Sequence, residues 1–222
     1  MKSPELRKEL SELVLHKRGI RINLQLSLIE SEDEISLRSP NELAERITAL
    51  RLIRDFVMSD ETQKALIRDV ININQLRTCF SANELNTIFS TPAQDDARPL
   101  DLRSYSGEAL SFLMWASSLQ KNIGMPDGQR SPSDIDTLIA ELPPPLAQIS
   151  DRIKLRSKSE ILDWADLLYR LHWAVRHAHI TAKPTPGRLN ADAVHEWHKA
   201  VNWLIRFDDE DDWDKVSTET AG

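Results

Sequence analysis

Hydrophobic residues recur every three or four positions along most of the chain, which is the spacing of amphipathic α-helices. Helix starts are marked by Ser-Pro pairs, in which a capping hydroxyl precedes a proline suited to the first helical position, and by Ser-x-x-Glu capping boxes. These signals predict helices over residues 4–18, 40–58, 60–70, 82–90, 105–120, 132–141, 158–178 and 191–206. The sequence therefore predicts an all-α, single-domain helical bundle of about eight helices over residues 1–222.

One segment, residues 160–179, is apolar on nearly every side. At helical angles its charged residues Asp163, Asp166, Arg170 and His177 fall within an arc of about 60°. A helix that is apolar almost all the way round is usually buried, so the helix near 158–178 is predicted to be central. Its charged stripe must then be paired, because an unpaired buried charge is too costly.

The stripe has two interpretations. Asp166 and Arg170 are four residues apart and can pair on one helix face. They could belong to a site in which a carboxylate and an imidazole flank an arginine that grips an anionic group. They could also form a buried ion-pair network that fixes helix packing, which is the favoured interpretation. His172 lies on the apolar side and is expected to be a hydrogen-bonded core histidine.

The segment 191–206 has an apolar face and an opposite polar face, so it is expected to pack on the central helix. A polar cleft between helices 158–178 and 191–206 is the predicted binding site. The candidate residues are Asp163, Asp166, Arg170, His177, Glu196, His198, Asn202 and Trp203.

Charge and composition limit the classes of partner that the protein is expected to bind. The formal net charge is −7, and an acidic tail begins at about residue 207, where Trp213 is expected to attach it. This balance disfavours nucleic acid and anionic membranes as partners. No apolar run is long enough to cross a membrane. Cys79 is the single cysteine, which excludes an intramolecular disulfide and fits a reducing compartment, so a soluble, cytoplasmic protein is predicted.

Familiar catalytic motifs are missing from the sequence. Its six glycines form neither a phosphate-binding loop nor a dinucleotide fingerprint, and His195 and His198 are three apart instead of the four that a zinc-protease helix needs. No cofactor or metal is predicted, although carboxylates and imidazoles of the stripe could ligate a metal without a contiguous motif. The donors in that minor alternative are Asp163, Asp166, His177 and His198.

The favoured function is a binding protein for a protein partner or a small anionic ligand. The alternative is an enzyme, such as a hydrolase, in which Asp163, Asp166 or His198 handles protons and Arg170 holds an anionic group.

A short motif occurs twice. Leu37-Arg38-Ser39-x-x-Glu42 recurs as Leu155-Arg156-Ser157-x-x-Glu160, each at the start of a long predicted helix. Because a capping box accounts for the serine and the glutamate, we interpret the two as independent helix starts and not as a duplication.

Stretches spread along the chain carry a resemblance to a known family. They are Gly19-Ile20-Arg21-Ile22-Asn23, Leu37-Arg38-Ser39-Pro40, Trp115-Ala116, Glu160-Ile161-Leu162-Asp163, Arg170-Leu171-His172-Trp173-Ala174, Glu196 with His198, Ala200, Asn202 and Trp203, and Trp213-Asp214 with Thr218 and Thr220. The chain resembles the uncharacterised bacterial proteins grouped as domain of unknown function 4272, although Ser27 and Trp197 stand where that family has proline and arginine. The resemblance implies a mostly helical single domain, but it implies no particular activity.

Overall fold

The computed structural model of the protein describes residues 2–90, 107–127 and 146–220. These residues form α-helices and short 3-10 turns and contain no strand, so the all-α prediction is confirmed. The helices are α1 (Pro4–Lys17), α2 (Pro40–Met58), α3 (Glu61–Ile73), α4 (Ala82–Phe89), α5 (Glu108–Ala116), α6 (Leu146–Arg152), α7 (Lys158–Ile180) and α8 (Ala191–Leu204). None of the helices in these ranges combines the length and hydrophobicity that a membrane crossing needs.

The predicted helix starts agree well with the structure, whereas several ends do not. The capping boxes at Ser39, Ser81 and Ser157 all form. The helix predicted over 105–120 ends at Ala116, because Ser118 adopts a left-handed conformation with φ 59°. Arg206, with φ 55°, ends α8 at Leu204 in the same way. The sequence signals missed α6, and the helix predicted over 132–141 lies outside the described residues.

The main core lies where α5, α7 and α8 meet. An aromatic cluster occupies it, with Phe112 and Trp115 from α5, Trp164 from α7 and Trp197 from α8 at ring centroid distances of 5.4–6.4 Å. The indole of Trp197, which is fully buried, donates to Glu108 Oε2 at 2.9 Å. A buried indole needs such an acceptor, so this contact fixes α8 against α5.

Two arginines hold the carboxyl ends of these core helices. Arg38, just before α2, donates from Nε to the carbonyl of Trp203 at 2.8 Å, and its guanidinium lies 4.4 Å from the indole of the same residue. Arg156, just before α7, makes the same pair of contacts with Trp115, at 2.8 and 4.6 Å. Each carbonyl also accepts a turn N–H, from Arg206 or from Ser118. The arginine therefore adds a second hydrogen bond at the helix end and places a positive charge at the negative end of the helix dipole.

The repeated Leu-Arg-Ser motif therefore occupies equivalent places in the structure. The amide of Arg38 donates to Leu204 O at 3.1 Å, and that of Arg156 donates to Ala116 O at 3.0 Å. The helices that the two arginines hold, α5 and α8, are also alike. Each has a buried glutamate seven residues before its tryptophan, and a residue of left-handed conformation follows three residues after that tryptophan. These residues are Glu108, Trp115 and Ser118 for α5, and Glu196, Trp203 and Arg206 for α8.

Candidate functional site

The charged stripe of α7 faces α1. Asp163 accepts a hydrogen bond from Nε of Arg7 at 3.1 Å and also pairs with Lys2. The Arg7 side chain is 1% exposed and lies 3.5 Å from Glu32. One edge of the stripe is thus occupied by residues of α1 and of the segment that follows it.

Asp166 and Arg170 form a buried, two-pronged ion pair. Arg170 donates from Nε and Nη2 to the two carboxylate oxygens of Asp166 at 2.8 and 2.7 Å, and the two side chains are 1% and 0% exposed. Nη2 also donates to the carbonyl of Ser27 at 3.2 Å, and Nη1 lies 3.9 Å from Glu12 of α1. Protein groups therefore surround the arginine that the sequence suggested as an anion-binding group. The geometry favours the structural interpretation of the stripe.

A second polar cluster lies on the opposite side of α7, since His172 is about 180° from Asp163 around the helix. His172 Nδ1 lies 2.9 Å from His198 Nδ1 of α8, and both rings are buried. The Asn202 amide nitrogen lies 3.3 Å from His198 Nε2 and donates to Ser217 O at 2.9 Å. Because an amide nitrogen can only donate, His198 Nε2 accepts and its Nδ1–H donates to His172. The expectation of a hydrogen-bonded core histidine at 172 is confirmed.

Both imidazoles are held in the neutral form. Burial, together with the nearby His195 and Arg176, lowers the pKa of His172 to about 4. Burial and the neighbouring His172 and His195 set the pKa of His198 well below its usual value. A single proton shared along the Nδ1 to Nδ1 contact satisfies both rings, whereas a second proton would set two donors against each other.

A cavity of about 390 Å³ lies beside this cluster. Its walls come from α7, from α8 with the turn that follows it, from the segment after α1 and from the last described segment of the chain. The lining residues are Ser27, Leu28, Ile29, Glu30, Ala165, Tyr169, His198, Asn202, Ile205, Phe207, Asp208, Ser217, Glu219 and Thr220.

Of the predicted site residues, the structure brings only His198 and Asn202 to this cavity. Glu196 is buried and pairs with His195 at 3.1 Å, His177 stacks on Trp173, and Trp203 lies under Arg38. Asp163, Asp166 and Arg170 face α1 instead of α8. The minor metal alternative gains no support, because histidine, cysteine and acidic side chains in the described ranges form no group of three placed to hold an ion.

Sequence reasoning missed the residues that complete the cavity. Tyr169 sits among core positions of α7, so its hydropathy gave no signal, and the chain from about residue 207 was expected to be an acidic tail that Trp213 attaches. Trp213 is buried as expected, but the chain continues over α8, and Thr220 accepts from Arg176 Nη1 at 3.1 Å. The one sequence signal for this segment was the family resemblance at Thr218 and Thr220.

Comparison with known proteins gives the chain a family. The model of the family described as Domain of unknown function (DUF4272) matches residues 7–216. The chain belongs to this family. No curated protein and no solved structure matches the chain. The DUF4272 description assigns no activity, so any function has to be argued from the site.

Removing either partner of the buried ion pair should be costly. Asp166→Ala and Arg170→Ala should each lower the free energy of unfolding by about 3–5 kcal/mol, because each leaves an uncompensated buried charge. The apolar double variant Asp166→Leu/Arg170→Met should lose much less. Urea denaturation measures all three, with the exposed pair variant Arg18→Ala as a control expected to lose at most about 1 kcal/mol. Single variants as stable as wild type would show that the pair is not structural.

The neutral histidine pair predicts an acid-sensitive fold. In the unfolded chain these histidines take up protons as the pH falls through about 6.5, whereas the folded pKa values are lower. The unfolded state therefore binds more protons between pH 6.5 and about 4, and stability falls as the pH falls, by up to about 1.4 kcal/mol per pH unit for each histidine.

Urea denaturation between pH 7 and 5 measures this slope. His172→Gln removes one of the two groups and should flatten the slope, whereas exposed His16→Gln should leave it unchanged. A wild-type unfolding free energy that stays constant or increases as the pH falls from 7 to 5 would contradict the assignment of neutral rings.

Proposed function

We propose that the protein binds a small organic molecule in the cavity between α7 and α8. The observation that carries this proposal is the pair of buried polar residues, His198 and Asn202, at the surface of a cavity of about 390 Å³ whose walls combine apolar and aromatic side chains with polar ones. Ligand sites typically occupy about 300–1,000 Å³ and combine apolar walls with a few fixed polar groups. Hydrogen bonds from His198 to His172 and from Asn202 to Ser217 fix those two groups before any ligand arrives.

Binding is preferred to catalysis because the groups that the sequence suggested for proton transfer either lie away from the cavity or are already hydrogen-bonded. Asp163, Asp166 and Arg170 lie on the α1 side, and both ring nitrogens of His198 are engaged by His172 and Asn202. A small molecule is preferred to a protein partner because the polar groups lie inside a cavity. We also propose a cytoplasmic location, which the unpaired thiol of Cys79 supports.

A matched pair of variants tests the proposal. Ser27 lines the cavity mouth with an exposed side chain, so Ser27→Trp should fill part of the cavity, whereas Gln25→Trp adds the same bulk two residues away, outside it. A thermal-shift screen of cationic, neutral and anionic metabolites should yield compounds that stabilise wild type and Gln25→Trp alike. At 100 times the Kd the gain is about 2.7 kcal/mol, or roughly 5–10 °C for a domain of this size.

The same compounds should not stabilise Ser27→Trp. Compounds that stabilise both tryptophan variants equally would place the ligand elsewhere. A screen in which no compound raises the wild-type melting temperature would count against a small-molecule site.

A further inference from the structure

We infer that the cavity between α7 and α8 takes a protonated amine on an apolar body. This inference rests on the proposed function and adds the chemical class of the ligand. The described lining residues include the carboxylates of Glu30, Asp208 and Glu219 and no lysine or arginine. Two arginines contact lining residues from behind the cavity wall: Arg176 donates to Thr220 at 3.1 Å, and Arg170, which Asp166 neutralises, donates to the Ser27 carbonyl at 3.2 Å.

The three carboxylates come from separate segments and make no ion pair with a described residue. Glu30 follows α1, Asp208 is in the turn after α8, and Glu219 is in the last described segment. Acidic side chains that converge on one cavity mouth without counter-charges give it a negative potential, and the net charge of −7 adds to it.

The cavity floor offers an acceptor and no cation. Asn202 is 6% exposed, and its amide nitrogen is engaged by Ser217, but its Oδ1 accepts no hydrogen bond from a described residue. His198 stays neutral, so it adds no positive charge. An ammonium group carries N–H donors for Oδ1 and a charge that the rim attracts. A carboxylate or phosphate could accept from the hydroxyl groups of the lining, but it would meet the like charge of the three carboxylates and no lysine or arginine among the lining residues.

The walls fit an apolar body beside that ammonium group. Tyr169 and Phe207 contribute aromatic rings, and Leu28, Ile29 and Ile205 contribute aliphatic surface. Aromatic faces attract cations as well as apolar groups, so these walls favour an arylalkyl amine over a strongly hydrated polyol. A quaternary ammonium lacks the N–H donor, so it should bind less tightly than the primary amine.

Isothermal titration with ligands matched in size tests the inference. The probes are 2-phenylethylamine, its N,N,N-trimethyl derivative, 2-phenylethanol and phenylacetate, and the series is repeated with tryptamine, tryptophol and indole-3-acetate. The primary amines should bind wild type at least tenfold more tightly than the alcohols, and the acids should bind most weakly. The preference should decrease as NaCl rises from 10 to 300 mM, because the rim charges are exposed to solvent.

Two double variants that remove the same amount of charge test whether the preference for the amine arises at the cavity. Glu30→Gln/Glu219→Gln should remove most of the preference for the amine over the alcohol, whereas Glu9→Gln/Asp33→Asn removes the same charge from exposed positions outside the cavity and should preserve it. Equal loss in both variants would show that only net charge matters and would overturn the inference.

The outcomes separate this inference from the function on which it rests. If amine, alcohol and acid bind alike and Ser27→Trp abolishes all three, the cavity is a ligand site and the charge preference is wrong. If the primary amines do not bind, the inference is wrong, and the unbiased screen alone decides whether the cavity binds another class of ligand.

Discussion

The fold depends on two arginine side chains that each hold the carboxyl end of a core helix. Arg38 and Arg156 precede the two longest helices of the described residues, and each uses one guanidinium to donate to a carbonyl at a helix end and to cover the indole of the same tryptophan. Because Arg38 starts α2 and holds α8, while Arg156 starts α7 and holds α5, the contacts join helices far apart in sequence. The two helices that they hold, α5 and α8, pack against each other, and α8 borders the cavity.

Burial of α7 then divides its polar groups between two roles. On the α1 side, Asp166 and Arg170 neutralise each other within hydrogen-bonding distance, which is how a helix keeps charges in a core. On the opposite side, His172 and His198 avoid charge by sharing one proton. The neutral cluster borders the cavity through His198 and Asn202, whereas the ion pair faces α1.

Sequence predicted the helices that begin at a capping box, because Ser39, Ser81 and Ser157 act through backbone groups three residues away. The burial of α7 and the Asp166–Arg170 pair followed from periodicity alone. A cleft between α7 and α8 with His198 and Asn202 was also predicted, but most of its lining was not, because its walls join residues of four segments. A helical wheel also cannot show that Asp163 faces α1 and not α8. The repeated Leu-Arg-Ser motif was read as a helix start, since the tryptophan that each arginine covers lies 41 or 165 residues away.

Urea denaturation of Arg38→Lys and Arg156→Lys tests the central role of the two arginines most directly. Lysine keeps the charge but lacks the planar group that bonds the carbonyl and covers the indole together. Each variant should lose about 1.5–3 kcal/mol of unfolding free energy, the usual value of a hydrogen bond to a charged group. Arg51→Lys, in a partly exposed ion pair with Asp55, should lose about 0.5 kcal/mol or less. Losses at positions 38 and 156 no larger than at position 51 would contradict the account.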